Sequence, residues 1–274
     1  MGQPKRKDKQ DATTEVDATP EATQKDSPPA PWQPAARLSR ASLGVIAGVV
    51  LLVNLPLLHY FVFRAAPEVS VTLPFSDDYS DPSTVAQRYW SSGGLWRTVD
   101  GWLLSPGVKN NPLWLEASLP QDVVVEFDVR SMSPEGDIKV EIFGDGRDHA
   151  TGYVLIHGGW NNSISIIARL DEHAPSLNVL NAEASKRGGN LVSSGVYRPE
   201  TRVRVEANPY RVEQGRTYHW RIERRGSVLS WSIDGQPFMS FDDPFPLAGK
   251  GHDRFGFSSW EAQLFFDNLR ITPL

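Results

Sequence analysis

Residues 123–130 read Val-Val-Val-Glu-Phe-Asp-Val-Arg, and this stretch decides the fold of the larger part of the chain. Every odd-numbered position is apolar, and three of the four even-numbered positions are charged. Side chains of a β-strand point alternately to the two faces of its sheet. The alternation therefore predicts a strand with one face against a core and the other toward solvent.

The same two-residue period recurs on both sides of this strand. It is found in residues 138–143, 153–157, 163–170, 217–224, 228–234 and 264–271. Glycine-containing turn sequences separate these segments, at Asp100-Gly101, Gly144-Asp-Gly146, His157-Gly-Gly159, Arg225-Gly226 and Asp234-Gly235. No ten-residue stretch after residue 63 keeps a clear helical period, and residues 182–186 are expected to form one helical turn at most. The pattern predicts an all-β fold, an antiparallel sandwich or a closed barrel.

Several segments carry a resemblance to a known family. The segments are Phe75–Ser80, Gly94–Leu103, Gly152–Arg169, Tyr218–Arg224, Leu229–Phe238, Phe255–Phe257 and Phe266–Ile271. In this order they resemble the concanavalin A-like (laminin G-like) jelly roll, particularly the bacterial type related to 3-keto-disaccharide hydrolase domains. The resemblance covers about residues 75–272 and implies an antiparallel two-sheet jelly-roll sandwich over residues 74–274. The fold carries lectins, hydrolases and adhesion modules alike, so it does not decide the function.

A run of 23 uncharged residues, 41–63, lies between Arg40 and Arg64. With a helical rise of about 1.5 Å per residue the run reaches roughly 34 Å, enough to cross a hydrocarbon core of about 30 Å. A spanning helix satisfies its own backbone, so Asn54 and Pro56 are compatible with it. The alternatives are a buried core helix and a cleaved signal peptide, and the run is too long and starts too late for the second. We predict a transmembrane helix over residues 41–63 that contacts the lipid bilayer.

The charges around this run predict its orientation. Seven Lys or Arg residues precede it, whereas Arg64 is the only basic residue between it and Arg88. The excess of basic residues predicts a cytoplasmic N-terminus and a periplasmic C-terminal domain at a bacterial inner membrane. Residues 1–36 have almost no aliphatic side chains and are expected to form a disordered cytoplasmic tail. Residues 64–73 are then a short linker.

The charge balance of the remaining domain limits its partners. Residues 74–274 contain 20 Lys or Arg and 26 Asp or Glu, without a basic stripe. Nucleic acids and anionic headgroups attract basic surfaces, so we expect neither to bind this domain.

The sharpest catalytic candidates lie in the opening stretch. Glycosidases of the laminarinase type carry a Glu-x-Asp-x-(x)-Glu strand whose carboxylates act as nucleophile and acid. Glu126 and Asp128 match its beginning, but Arg130 occupies the place of the second glutamate and cannot donate a proton at neutral pH. Cross-strand charge pairs on a solvated face are the alternative interpretation. Glu141 and His157 are further acid–base candidates, and His157 is alternatively a structural hydrogen-bond donor beside its turn.

Metal and cofactor signals are weak. The six histidines form no His-x-x-x-His or His-Glu-x-x-His pair, and no P-loop or dinucleotide fingerprint occurs in a suitable context. Asp145 and Asp148 lie in a loop of the kind that holds Ca²⁺ in lectins, but Ca²⁺ requires six to eight oxygen ligands. An ordinary polar turn is the alternative, and we predict no cofactor.

Aromatic residues supply the binding candidates. Trp220 and Trp231 are in phase with the apolar faces of their strands and are expected in the core. Trp160 and Trp260 lie at strand ends beside polar or small residues, where an exposed ring can stack on a sugar. Rim packing is the alternative for both. The predicted ligand-binding residues are Tyr153, His157, Trp160, Asn161, Asn162, Arg147, Asp148 and Trp260.

Two classes of function follow from these patterns. One is a membrane-anchored, extracytoplasmic lectin-like module that binds a glycan or an envelope protein. The other is a glycan hydrolase of the 3-keto-disaccharide hydrolase type, and a non-catalytic scaffold of an envelope complex is a third alternative. The replaced second glutamate, the missing metal motif and the predicted membrane tether favour binding over catalysis.

Overall fold

The computed structural model describes residues 38–62, 68–107, 109–207 and 210–274, which divide into two compact units at residue 64. The predicted disordered tail and residues 63–67 of the predicted helix and linker lie outside the described residues. The described residues form 15 strands and four helical segments.

The first unit contains helix α1, Arg40–Val62, which agrees with the predicted helix to within one residue at each end. Ser39 caps its N-terminus, because its Oγ accepts a hydrogen bond from Ser42 N at 3.0 Å. The Asn54 amide donates to Val50 O at 2.7 Å, so its polar group is satisfied within the helix. The helix is long and apolar enough to cross a membrane.

The second unit consists almost entirely of strands. In chain order they are β1 Phe75–Asp77, β2 Tyr89–Ser91, β3 Arg97–Val99, β4 Trp102–Leu104, β5 Leu113–Leu115, β6 Val123–Ser131, β7 Ile138–Gly144, β8 Tyr153–Gly158, β9 Ile164–Arg169, β10 Val203–Ala207, β11 Thr217–Arg225, β12 Val228–Ile233, β13 Gln236–Asp242, β14 Arg254–Ser258 and β15 Leu264–Pro273. The helical segments are α2 Thr84–Arg88, α3 Gly159–Asn162 and α4 Leu177–Lys186. All strand pairs within the two sheets are antiparallel.

The strands form two sheets that confirm the predicted antiparallel sandwich. The eight-stranded sheet has the order β13-β12-β11-β6-β15-β4-β3, with β1 paired to β15. The seven-stranded sheet has the order β10-β9-β8-β7-β14-β5-β2. The predicted hairpins at Asp100-Gly101, Arg225-Gly226 and Asp234-Gly235 join β3 to β4, β11 to β12 and β12 to β13.

Aromatic side chains fill the space between the sheets. Phe127 of β6 meets Phe257 of β14 edge to face at a centroid distance of 5.4 Å, which joins the two sheets. Trp220 and Trp231 are buried with centroids 4.3 Å apart, as the alternation predicted. The ordered sandwich also begins before residue 74, because Val71 is buried and its N–H donates to Glu116 O at 3.0 Å.

The outer faces of the two sheets differ. That of the eight-stranded sheet is solvated and carries ion pairs, whereas that of the seven-stranded sheet is largely covered. Val154, Ile156, Ile166 and Ala168 form a second apolar cluster there, with partly buried Ala150 packed against it. The covering segments include the β7–β8 loop and the residues after β9.

One element differs from expectation. Helix α4 has ten residues, where a single turn at residues 182–186 was predicted. Ser176 caps it by accepting a hydrogen bond from Asn178 N at 3.2 Å, and only Leu180 and Ala184 are buried. The helix is therefore held by its cap and a narrow apolar contact, which leaves a weak periodic signal in the sequence.

Candidate functional site

A pocket of about 650 Å³ lies on the outer side of the seven-stranded sheet. Five regions of the chain contribute to it: the β6–β7 turn, β7 and β8, the α3 turn, the segment after β9, and the β14–β15 loop. Its lining residues are Glu135, Asp137, Lys139, Ile156, Trp160, Asn161, Glu172, His173, Trp260, Glu261 and Ala262.

Two tryptophans flank this pocket. Trp160 is 42% exposed and Trp260 is 44% exposed, although large aromatic side chains are usually well buried. His173 meets the Trp160 ring edge to face with centroids 5.6 Å apart. The backbone N–H of Trp260 donates to Asp137 Oδ2 at 3.1 Å, which ties the β14–β15 loop to the β6–β7 turn. The Trp160 ring and the Trp260 backbone are therefore held in place, and both indoles keep exposed surface.

Trp160 is presented by a left-handed turn. Trp160, Asn161 and Asn162 have φ values of 49°, 59° and 58°, a region that non-glycine residues rarely occupy. Gly158 precedes them at φ 69°, and a Cβ there would lie 2.5 Å from Asn162 Oδ1. The α3 segment is thus a tight turn rather than a regular helix, and it requires glycine at its start.

The Asn162 side chain holds this turn in place. Its Oδ1 accepts from Val212 N at 2.8 Å, and its Nδ2 donates to Val212 O at 2.7 Å. The amide thereby pairs with a distant backbone segment as a strand residue would. Asn162 is a positioning residue for Trp160 and does not line the pocket.

Lys139 and Glu172 line the floor of the pocket and belong to a buried cluster of four charged side chains that continues behind it. Lys139 Nζ donates to Glu172 Oε2 at 2.9 Å, and the two side chains are only 2% and 8% exposed. His149 Nδ1 donates to Glu141 Oε1 at 2.6 Å, and its Nε2 lies 3.6 Å from Glu172 Oε2. Asn110 Oδ1 accepts from Lys139 Nζ at 3.1 Å. We refer to Lys139, Glu141, His149 and Glu172 as the floor cluster.

Electrostatic coupling within the floor cluster shifts its proton affinities. Burial by itself lowers the pKa of His149, but the carboxylates of Glu141 and Glu172 outweigh burial and raise this pKa to about 9. Burial raises the pKa of Glu172, whereas the His149 hydrogen bond and the Lys139 charge more than offset it and lower this pKa to about 2. At neutral pH His149 and Glu172 are therefore both ionised.

Asp137 differs from the floor cluster. Burial is the dominant effect and raises the pKa of its carboxyl, although the nearby Lys139 charge opposes the shift. Its Oδ2 accepts the Trp260 N–H, and no ion pair to Asp137 occurs among the described residues. This carboxyl lacks a full compensating partner within the pocket wall.

The structure brings three of the predicted ligand-binding residues together. Trp160, Asn161 and Trp260 all line the pocket, although Trp260 is about 100 residues from the others in the sequence. The predicted loop residues Arg147 and Asp148 do not line it. Both lie in the β7–β8 loop, which covers the same sheet face.

Two other predicted ligand-binding residues are corrected by their burial. Tyr153 is 1% exposed and its hydroxyl donates to Asp243 Oδ2 at 2.6 Å. His157 is fully buried, stacks on Tyr210 with centroids 5.1 Å apart, and donates from Nε2 to Tyr210 O at 2.7 Å. Burial lowers the pKa of His157 to about 4. Both side chains point into the core between the sheets, so they cannot contact a ligand in the pocket.

The predicted acid–base residues Glu126 and Asp128 lie on the solvated face of the other sheet. Glu126 Oε1 accepts from Arg221 Nη1 at 3.0 Å, and Asp128 Oδ1 lies 2.8 Å from His219 Nδ1. These are the cross-strand charge pairs of the alternative interpretation. Glu141 is buried within the floor cluster. The proposed catalytic residues are therefore not gathered in the pocket, and His157 is in the core.

The aspartates considered for Ca²⁺ close their own turn. Asp145 Oδ1 accepts from the backbone N–H groups of Arg147 and Asp148, both at 2.8 Å. Across residues 38–62, 68–107, 109–207 and 210–274, no group of three or more His, Asp or Glu side chains is arranged to hold a metal ion. The loop that contains Asp145 and Asp148 is a polar turn.

Sequence reasoning missed the pocket floor. Lys139 and Glu141 alternate with apolar residues on β7, and this alternation predicts that they lie on the outer face of the strand. The alternation does not indicate that this outer face is covered by other segments. Glu172 lies outside every predicted strand. The available signal was a pair of opposite charges on one strand face that needed partners from elsewhere in the chain.

Three solved structures that resemble this chain are distant from it in sequence. No family model matches the sequence, and no curated protein matches it. The carbohydrate-binding module CBM66 of Bacillus subtilis is 14% identical, with 67% of this chain and 94% of the module covered at a TM-score of 0.46. A Bacillus subtilis protein of unknown function with a galectin-like fold is 14% identical, covers 73% of this chain and 94% of its own, and has a TM-score of 0.43.

A third likeness is to the β-glucanase of Bacillus licheniformis. It is 10% identical, with 75% of this chain and 100% of the glucanase covered at a TM-score of 0.47. Likenesses this distant carry no argument about the ligand. The jelly-roll sandwich rests on the strand pairing of this chain itself.

Proposed function

We propose that the sandwich binds a glycan in the pocket between Trp160 and Trp260. The observation that carries this proposal is the pair of half-exposed indoles beside a pocket with an ionised, hydrogen-bonded floor. Sugar rings present C–H faces that pack on aromatic planes and hydroxyls that need fixed polar partners. A volume of about 650 Å³ is also of the size that small-molecule sites occupy.

Preorganisation supports binding at this place. The floor cluster is fixed by mutual hydrogen bonds, and the Trp160 turn is fixed by the Asn162 amide. A site whose groups are already held in position loses little conformational entropy when a ligand binds. Asn161 adds an exposed amide that can donate and accept at a sugar hydroxyl.

The test uses the full chain in a polyoxyethylene detergent, since detergents with sugar headgroups would compete. A glycan array identifies ligands, and calorimetric titration then compares Trp160→Ala and Trp260→Ala with the unaltered chain. Each change is expected to weaken binding at least tenfold, because aromatic anchors dominate such sites. Trp90→Ala is the matched control, since Trp90 is 39% exposed and lies on β2 away from the pocket.

Three results would contradict the proposal. They are an array without ligands, binding that both substitutions leave unchanged, and an equal loss in the Trp90 control. Thermal unfolding of each variant distinguishes a lost contact from a lost fold, since a tryptophan packed in the core would cost about 3–5 kcal/mol. Release of sugar products from a bound glycan would instead identify the hydrolase alternative.

We further propose that α1 anchors the sandwich to a bacterial inner membrane, with the N-terminus cytoplasmic and the sandwich periplasmic. The length and apolar composition of α1 and the excess of basic residues before it support this topology. A reporter that is active only in the periplasm should work when fused after Leu274 and fail when fused before Arg40. The reverse pattern would overturn the orientation, and soluble fractionation of the full chain would overturn the anchor.

A further inference from the structure

The charges around the pocket do not balance. The floor cluster contains two cations, Lys139 and His149, and two anions, Glu141 and Glu172, so it is neutral as a unit. Any net charge of the pocket therefore comes from its other lining residues, and an uncompensated charge in a pocket wall selects the charge of what binds there.

Two further charges near the tryptophans are compensated by neighbours. Glu261 lines the pocket and forms an ion pair with Lys109 at 2.5 Å, while Lys109 Nζ also lies 5.1 Å from the Trp260 ring centroid. The Arg204 guanidinium lies 5.5 Å from the Trp160 ring centroid and pairs with Glu206 at 2.6 Å. These pairs add no net charge to the rim, and both indole rings already accept a cation over part of their surface.

Two carboxyls are left over, and both come from the β6–β7 turn. Glu135 is exposed and has no ion pair among the described residues. Asp137 receives one backbone hydrogen bond and lies near Lys139, whose Nζ already donates to Glu172 and Asn110. The pocket wall therefore carries a negative surplus beside the Trp260 ring.

A hydroxyl on the same side of the sheet also lacks a partner. Ser258 is the cross-strand neighbour of Lys139, so both side chains point to the side on which the pocket lies. Its Oγ is fully buried and has no hydrogen-bond partner among the described residues. Buried hydroxyls rarely lack a hydrogen-bond partner, so this region contains a hydrogen-bonding group that the chain itself does not satisfy.

We infer that the pocket binds a glycan with free amino groups, such as a de-N-acetylated hexosamine oligomer. The inference rests on the proposed glycan-binding function and names its ligand class. A protonated amine supplies a counter-charge for the carboxyls of Glu135 and Asp137 and can donate charge-assisted hydrogen bonds to them. An N-acetylated sugar or a neutral glucan offers the same ring for stacking but no charge.

The test compares three oligomers with the same β-1,4 backbone that differ at C2. They are hexamers of glucosamine, N-acetylglucosamine and glucose, which carry an ammonium, an acetamide and a hydroxyl group. The full chain in polyoxyethylene detergent is titrated with each at pH 6. The glucosamine hexamer is expected to bind about tenfold more tightly than the other two. The preference should shrink as the salt concentration rises, because the charges are partly exposed.

Two variants locate the preference at the β6–β7 turn. Glu135→Gln should reduce the preference for the amine about 2- to 5-fold, as expected for an exposed ion pair. Asp137→Asn should reduce it further, since its carboxyl is more buried, while an amide oxygen can still accept the Trp260 N–H. Glu200→Gln is the matched control, because Glu200 is exposed and does not line the pocket.

The outcomes separate this inference from the function on which it rests. Equal affinity for the three hexamers, or binding confined to glycans without a free amine, overturns the amine preference and leaves glycan binding intact. A preference that Glu135→Gln and Asp137→Asn leave unchanged also overturns it. Absence of binding to every glycan overturns the proposed function itself.

Discussion

Removal of the Lys139 ammonium should destabilise the sandwich strongly. In Lys139→Met the Glu172 carboxylate stays in a site where its side chain is 8% exposed but loses the partner at 2.9 Å. Breaking a buried pair by deleting one member costs about 3–5 kcal/mol. His149 and Asn110 still face Glu172, at 3.6 Å and 3.4 Å, so we expect the lower end of this range.

The expected change is large enough to measure in a melting curve. For a domain of this size 1 kcal/mol shifts Tm by about 2–4 °C, so Lys139→Met should lower Tm by about 6–12 °C. The assay is thermal unfolding at pH 7, followed by circular dichroism in the β-sheet region. Lys139→Met combined with Glu172→Gln should recover more than half of the loss, because the unpaired charge is gone.

An exposed ion pair provides the control for this experiment. Lys109 and Glu261 lie 2.5 Å apart with side chains 57% and 62% exposed, so Lys109→Met should cost at most about 1 kcal/mol. A shift for Lys139→Met no larger than that of Lys109→Met would refute the assignment of a buried, compensated floor. So would a double variant less stable than Lys139→Met alone.

Three other changes test separate parts of the structure. The pKa of His149 is raised from 6.5 to about 9 in the folded state, so the stability that its charge gives the fold is complete below pH 6.5 and is lost as the pH rises through 9. His149→Gln should therefore lower the free energy of unfolding by up to about 3 kcal/mol at pH 6 and by little at pH 10, as measured by urea titration. Asp243→Ala removes the acceptor of the Tyr153 and Tyr197 hydroxyls and of the buried Arg169 guanidinium, so it should lower the free energy of unfolding by about 3–5 kcal/mol in the same assay. The control is Asp242→Ala, which changes an exposed neighbour and should cost under about 0.5 kcal/mol. Asn162→Ala should lower glycan affinity about tenfold by releasing Trp160, and unchanged affinity in a calorimetric titration would show that the turn does not depend on this amide.

The fold was predictable because its evidence is local. Residues 123–130 alternate so regularly that β6 and its faces follow from the period of a strand alone. The hairpin at Asp100-Gly101 likewise follows from one turn sequence between two apolar segments. Helix α4 escaped prediction because most of its side chains face solvent and its cap is a single serine.

The pocket was only half predictable, for a physical reason. Trp160 and Trp260 stand out because each follows the end of a strand, where a large indole is not needed for the core. Tyr153 and His157 were misassigned because every residue of β8 is buried, so alternation cannot tell which face is the inner one. Lys139 and Glu172 are brought together only by the segment that covers the sheet, and a long-range contact leaves no local pattern.

The left-handed turn at Trp160 sets stability against function. A bulky residue at φ 49° is strained, and such backbone strain costs about 1–3 kcal/mol at a site where the fold enforces it. Glycine occupies that region without steric cost, so Trp160→Gly should relieve the backbone strain while it removes one wall of the pocket. Selection of random variants for heat resistance alone should therefore enrich glycine at this position, and selection for ligand capture should restore the indole at the expense of stability. Retention of tryptophan at this position under selection would therefore report that the pocket is in use.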